Sequence, residues 1–293
     1  MPVRKEQKLI SAGGQALIEG VLIRTKTHYA IAVRSPKGKI ITTRKKILTH
    51  DLSILKWPII RGIVALIEML TIGTKALGYS ANIAAESEDE GNWWQALLSI
   101  LLGIVFALAL FKYVPLLITN SAAKYSPQLA QSGFLFALLE GAIKILIFVL
   151  YIVALSFSKE IRRVFAYHGA EHQAVHCYEH RLSLTPKNLG KFPTMHARCG
   201  TSYLLFVLIL SILAYALLSN ELSLWEKYTY RILLLPLIAG VAYEVLKLAA
   251  KFQKNIIFRM LSWPGIALQR ITTQPSDMQQ REVAIAAMKS ALQ

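Results

Sequence analysis

"FLFALLEGAIKILIFVLYIVALSFSKEIRR", residues 134–163, is apolar almost throughout from Phe134 to Ser156 and then turns basic at Lys159, Arg162 and Arg163. A helix rises ~1.5 Å per residue, so such a run crosses a hydrocarbon core ~30 Å thick. The basic residues that follow it mark the cytosolic side. Within it Glu140 and Lys144 stand four apart, where they can pair with each other inside the bilayer.

Three further stretches are comparable: Trp94–Val114, Ser202–Ser219 and Arg231–Ala250. Most Lys and Arg lie before Trp94, between 157 and 201, and after 250, whereas the connections 115–133 and 220–230 are poor in them. Four spans and this charge pattern agree on both termini in the cytosol. The expected fold is an α-helical multi-pass membrane protein with about four transmembrane helices and a small cytosolic N-terminal β-unit, in the plasma membrane or a plastid membrane.

Bulk composition points the same way. The 293 residues are 54% hydrophobic and 17% charged, too apolar for an ordinary soluble domain. Lys and Arg number 33 against 17 Asp and Glu, a net +16. Because that excess flanks apolar spans, the lipid bilayer is the expected partner and nucleic acid is not. The first fourteen residues are basic without an apolar core, unlike a cleaved signal peptide. Two cysteines, Cys177 and Cys199, make no disulfide framework and read as free thiols or metal ligands.

Six segments follow. Residues 1–56 read as a β-rich segment, with strands at Tyr29–Arg34 and Lys39–Arg44 around the turn "SPKG". Gly13, Gly14 and Gly20 suit close backbone approach or a bulge. Residues 57–93 hold an interfacial or re-entrant helix from Arg61, interrupted by Glu68 and Lys75, and the acidic tract "ESEDEG" at 86–91. Residues 94–156 carry the first two spans, 157–201 a His/Glu/Cys-rich segment, and 202–250 the last two spans. Residues 251–293 form a tail with an amphipathic helix, for which Ser276 serves as N-cap with Gln279 at the third helical position.

The middle segment contains "YHGAEHQAVHCYEH" at 167–180. His168 and His172 are four apart, so on a helix about 40° of rotation and one turn separate them, close enough to hold one ion. With Glu171 they form H-x-x-E-H, the order in which two histidines bind zinc and the glutamate acts as base. His196 and Cys199 return after a connector in which Thr185 caps and Pro186 starts a helix. The expected metal set is His168 and His172 completed by His196 or Cys199, with Glu171 as general base. Glu179 returns to the His168 face but ~16 Å along the axis, so it shares that site only if the helix breaks. His176 and His180 read as surface histidines and Cys177 as packing. Arg198 suits an anionic group or simply marks topology. Glu244 in the last span suits pairing with Lys247, or a ligand or proton-relay role.

"GGQALIEGVLIR", "YHGAEHQAVHCYE", "HARCGTSYL", "AYEVLK" and "WPGIALQRITTQPSDMQQREVAIAA", in that order, resemble the membrane family called domain of unknown function 1385, also known as the YqhQ family. The resemblance covers nearly the whole chain. It implies a multi-spanning membrane protein of a family described as predicted metal-dependent enzymes, with polar positions at His168, Glu171, His172, Glu179, His196, Arg198 and Cys199. The expected function is a membrane-embedded metal-dependent hydrolase using a divalent metal, zinc first. Its site faces the cytosol at the bilayer surface, Glu171 moves the proton, Arg198 holds an anionic part, and the substrate is a membrane-associated peptide or a lipid-linked group. The alternative is a non-enzymatic assembly or biogenesis factor that binds a membrane-protein partner and has a structural metal or none. Few ionisable residues deep in the spans and no inverted repeat weigh against a transporter.

Overall fold

The glycine-rich start folds as a four-stranded antiparallel meander in a computed structural model that describes residues 10–47, 55, 57–86, 93–218, 224–252 and 254–293. The strands are Gly13–Leu17 (β1), Gly20–Arg24 (β2), His28–Arg34 (β3) and Ile40–Lys46 (β4), in sequential order. Leu17 pairs with Gly20, leaving Ile18 and Glu19 as a two-residue turn in which Glu19 takes a positive φ of 51°. A Cβ on Gly14 would overlap the Leu22 carbonyl oxygen and one on Gly20 would press on that of Ala32, so both glycines serve close approach. Gly13 faces open space.

Ile60–Ala85 (α1) is one unbroken helix. It lies along the sheet rather than apart from it: Ala76 packs with Leu17, Leu22, Ile31 and Val33, and Glu68 pairs with Arg24 of β2. Of the acidic tract only Glu86 is among the described residues, 3.5 Å from Lys37.

Trp93–Leu108 (α2) runs through a π-helical turn at Ala109–Tyr113 into Val114–Ala123 (α3). The expected end of the first span at Val114 is therefore corrected to Ala123. Pro115 occupies the first turn of α3, where its missing N–H costs little once the π-turn has re-set the ladder. After the short Pro127–Gln131 (α4), capped by Ser126, comes Gly133–Leu155 (α5), so most of the expected loop 115–133 is helical. Gly200–Ala216 (α8) and Leu224–Lys251 (α9) form an antiparallel pair, in which Tyr203 Oη donates to the Ala239 carbonyl at one end and Tyr215 Oη to that of Arg231 at the other.

Among the described residues, three stretches are long and apolar enough to cross a membrane: Leu101–Ala123, Gly133–Leu155 and Thr229–Lys251. Their surfaces ask for lipid, since Leu102, Val105, Ile232 and Leu233 are each more than 60% exposed. The fourth expected stretch is shifted: with Cys199 as its cap α8 starts at Gly200, before Ser202, and it ends at Ala216, before Ser219, leaving 17 residues. The expected pair Glu140–Lys144 forms and is joined by Arg231, 3.7 Å from Glu140. Glu244 pairs with Arg61 of α1 rather than with Lys247, because α1 docks against α9 through Gly62 and Gly240.

Three polar segments far apart in sequence build one body. Lys159–Glu179 (α6), followed by the single turn Pro186–Leu189 (α7), packs with Met278–Leu292 (α11) on one face of the sheet. Val21, Ile23, Ala30 and Ala32 meet Ala170, Ala174, Val283, Ala287 and Met288 in a common core. Ile256–Thr272 (α10) leads into α11. The cap of α11 is Asp277, not Ser276: the Asp277 carboxylate accepts the Gln280 N–H at 2.7 Å and Gln280 Oε1 accepts the Asp277 N–H at 2.9 Å. Ser276 instead donates to Gln173 of α6 at 2.6 Å, which uses its hydroxyl elsewhere. Replacing Asp277 by alanine should cost about 1 kcal/mol, read as a lower thermal midpoint in detergent, while Ser276→Ala spares the cap.

Candidate metal centre

α6 begins at Ser158, whose Oγ accepts the Ile161 N–H, and runs unbroken to Glu179. From Ala166 to Cys177 nearly every residue is buried, although a third of them are polar. Buried polar groups need partners, and the surrounding backbone supplies them. The connector 190–199 lies across one side, and the segment after α10 crosses the other.

His168 Nδ1 lies 2.8 Å from the Thr272 carbonyl oxygen, and His172 Nδ1 lies 2.5 Å from that of Thr194. A carbonyl only accepts, so each Nδ1 carries the proton and each Nε2 presents a lone pair. Cys199 Sγ is 3.2 Å from His168 Nε2, and one ligand atom from each of His168, His172 and Cys199 lies within 4.8 Å of the other two. His172 and Cys199 are buried and His168 half-buried. Cys199 is also the N-cap of α8, accepting the Thr201 N–H at 3.4 Å. Burial pushes its thiol pKa up, against the Thr201 hydroxyl and the amides of Thr201 and Ser202, which stabilise a thiolate.

Glu171 is 2% exposed, with a carboxylate oxygen 3.5 Å from His172 Nε2. Burial pushes its pKa up to about 8; the neighbouring Cys199 adds to this, while His168 and the Gly14 backbone N–H act against it. Burial likewise holds His172 well below the ordinary imidazole value, aided by the neighbouring His168. Side by side, Glu171 and His172 are thus a neutral acid and a neutral imidazole near pH 7, not an ion pair, despite their separation. Neutral imidazole is the metal-binding form.

His176, Glu179 and His196 form a second group whose ligand atoms are equally close. Its hydrogen bonds commit it differently. His196 Nδ1 accepts the Arg198 N–H at 3.2 Å, so Nε2 bears the proton and faces Glu179 at 3.3 Å. Burial holds His196 down to about 4, so it stays neutral, and both ring nitrogens are used. The Glu179 carboxylate also pairs with the Arg198 guanidinium. This second group therefore anchors Arg198 and keeps one bare imidazole nitrogen, on His176, whereas the first group has two beside a thiol.

The candidate residues are thus divided. His168, His172, Cys199 and Glu171 come together on one side; Glu179, His196 and Arg198 come together on the other, one helical turn away, with the His172 and His196 ring centroids 5.7 Å apart. His176 is no surface histidine: its Nε2 bonds the Met195 carbonyl at 2.9 Å and its ring stacks on Phe192. His180 is exposed and Cys177 lies in the core, its Sγ toward the Leu182 and Ser183 carbonyls. Among the described residues Glu244 stands apart, held by Arg61.

Several supports had no sequence signature. Gln269 of α10, fully buried, accepts the His196 N–H at 2.7 Å and donates to the His196 carbonyl at 2.9 Å and to Ser202 Oγ at 3.0 Å. The Thr194 and Thr272 carbonyls are backbone and thus invisible to residue type. Gly169 did leave a signal, a glycine in the middle of a helix. A Cβ there would overlap the Gln274 carbonyl oxygen and crowd Thr194, so the glycine lets both flanking segments reach α6, where the Gln274 N–H donates to the Phe165 carbonyl.

The family model described as "Protein of unknown function (DUF1385)" matches residues 57–293. A curated relative, "Uncharacterized protein YqhQ" of Bacillus subtilis (strain 168), is 32% identical over 297 residues, spanning 96% of this chain and 92% of the relative. No solved structure matches.

Proposed function

The chain belongs to the DUF1385 family, and from that premise we propose that it is a membrane-embedded, metal-dependent hydrolase. In this reading its site lies at the cytosolic surface of the plasma membrane. One observation carries the proposal: two imidazoles whose Nδ1 protons are fixed on backbone carbonyls present their bare Nε2 atoms beside a helix-capping thiol. That is a His₂Cys donor set with its outer hydrogen bonds already in place, suited to zinc. His168, His172 and Cys199 would hold the ion, which supplies Lewis acidity and brings the pKa of a water toward ~7. Glu171, adjacent and buried, is protonated near pH 7 without the ion; a cation bound beside it would favour its carboxylate, which would then accept and return the proton. Arg198, set by Glu179, offers a guanidinium to an anionic part of the substrate.

The same proposal places both termini in the cytosol. α8, antiparallel to α9, has 17 residues, the lower limit of a membrane-spanning helix, and counting it as a fourth pass returns the chain to the side on which it began. The Lys and Arg of α6 and of the connector then lie inside.

A second reading, a membrane assembly factor with a structural metal, is favoured by the burial of the same groups. Glu171, His172 and Cys199 are each 4% exposed or less, and Glu171 is near enough to close the shell as a fourth ligand. Purified protein should carry close to one divalent ion per chain by elemental analysis. X-ray absorption showing three protein donors and one exchangeable light atom, with metal retained in Glu171→Ala, supports the hydrolase. Four protein donors, with metal lost in Glu171→Ala, supports the structural reading. Protein that stays metal-free after zinc supplementation overturns both.

A further inference from the structure

Between β1, β2, α1, α8 and α9 lies a cavity of about 570 Å³, within the range of small-molecule sites. Its lining combines two chemistries. Leu66, Met69 and Ile72 of α1, Leu246 of α9 and the rings of Tyr203 and Tyr243 are apolar wall. Arg24 of β2, Lys26 just after it, Arg198 just before α8 and Lys247 of α9 are cationic, and no carboxylate lines the cavity. Arg24 and Arg198 each have a carboxylate partner outside it, Glu68 and Glu179. Lys26 and Lys247 form no ion pair among the described residues and are exposed.

The cavity adjoins the metal centre. Gly14 lines the cavity, and its amide backs the Glu171 carboxyl; Gly200 lines it too, immediately after Cys199. A free inorganic anion would use the cationic groups and leave the apolar wall uncovered, and a neutral lipid would leave those charges uncompensated. Charge and shape together fit a molecule with an anionic head and an apolar tail. Lys247 stands near the end of the Thr229–Lys251 span, where a lipid of the adjoining leaflet presents its headgroup.

We propose that this cavity binds an anionic phospholipid from the adjoining leaflet, its phosphate among Lys26, Lys247 and Arg198 and an acyl chain against Leu66, Met69, Ile72 and Leu246. As a lipid site the inference stands alone; as the substrate class of the metal centre it rests on the hydrolase reading.

The test uses the full chain in nanodiscs of equal phosphatidylglycerol and phosphatidylcholine, with retained lipid read by native mass spectrometry and metal by elemental analysis of the same samples. Wild type should retain phosphatidylglycerol in preference to phosphatidylcholine. The double charge reversal Lys26→Glu with Lys247→Glu should lower its occupancy about tenfold or more with metal content unchanged. Gly13→Leu should reduce lipid retention without reversing any charge, because a side chain there meets open space at the cavity wall. Equal retention of both lipids by wild type, undiminished phosphatidylglycerol in the charge-reversed protein, or a retained peptide in place of lipid would overturn the proposal. Metal without lipid preference refutes the lipid site alone, and lipid preference without metal refutes the hydrolase alone.

Discussion

His172→Ala should purify without metal, whereas Cys177→Ala should retain the wild-type complement. The two residues are neighbours on α6 and both are buried, so simple loss of core volume does not separate them. Their chemistry does: His172 directs a bare Nε2 toward His168 and Cys199, while Cys177 Sγ faces the Leu182 and Ser183 carbonyls in the apolar core. Losing a ligand should exceed the ~10–100-fold drop in affinity that follows loss of an outer-shell partner. Stability gives a second readout. At a zinc concentration about 100-fold above Kd, wild type gains about 2.7 kcal/mol from the ion, and His172→Ala should gain essentially none. Equal metal content in the two variants would move the site away from this group. Retention in His172→Ala with loss in His176→Ala would place it at the second group instead.

Gly169→Ala is the second large effect, and its sign depends on which of two contributions wins. Alanine is the better helix former by about 1 kcal/mol. Against that, its methyl group would overlap the Gln274 carbonyl oxygen, which is backbone and cannot swing aside. Overpacking of this kind costs about 1–3 kcal/mol, and relieving it moves the segment that carries Thr272, whose carbonyl orients His168. The net expectation is a loss of about 1 kcal/mol in stability with a metal affinity lowered about 10–100-fold. Denaturation in detergent and zinc titration against a chelator measure the two. A Gly169→Ala protein more stable than wild type, with full metal affinity, would show that the crowding around α6 is not as described.

Hydropathy located the apolar helices but not their ends. Pro115 reads as a stop, yet a π-turn just before it carries the helix on to Ala123; the ladder shift leaves no mark in residue type. Ser202–Ser219 is bounded by composition alone; the Cys199 cap moves the helix start back to Gly200, and its end falls at Ala216. Helical arithmetic served the site better. It separated Glu179 from His168 on a straight helix, and α6 is unbroken to Glu179. It failed for His176, because an angle measured around one helix says nothing about what covers it, and Phe192 and Met195 of the connector do. Pairing of Cys199, rather than His196, with the two helix histidines was undecidable from spacing. The deciding fact is the Arg198 N–H donated to His196, a local turn that occupies the imidazole.

The carbonyl that orients His168 belongs to Thr272, 104 residues later in the chain. During synthesis His168, His172 and Cys199 leave the ribosome well before Thr272, with α8 and α9 between them in the chain. If the proposed centre binds metal, chain order would make loading a late event in biogenesis. A polypeptide that stops before Thr272 has all three donor side chains but lacks the outer hydrogen bond that fixes one of them, together with the α11 packing against α6. Occupancy of the proposed centre would then report a chain whose C-terminal helices have folded into place.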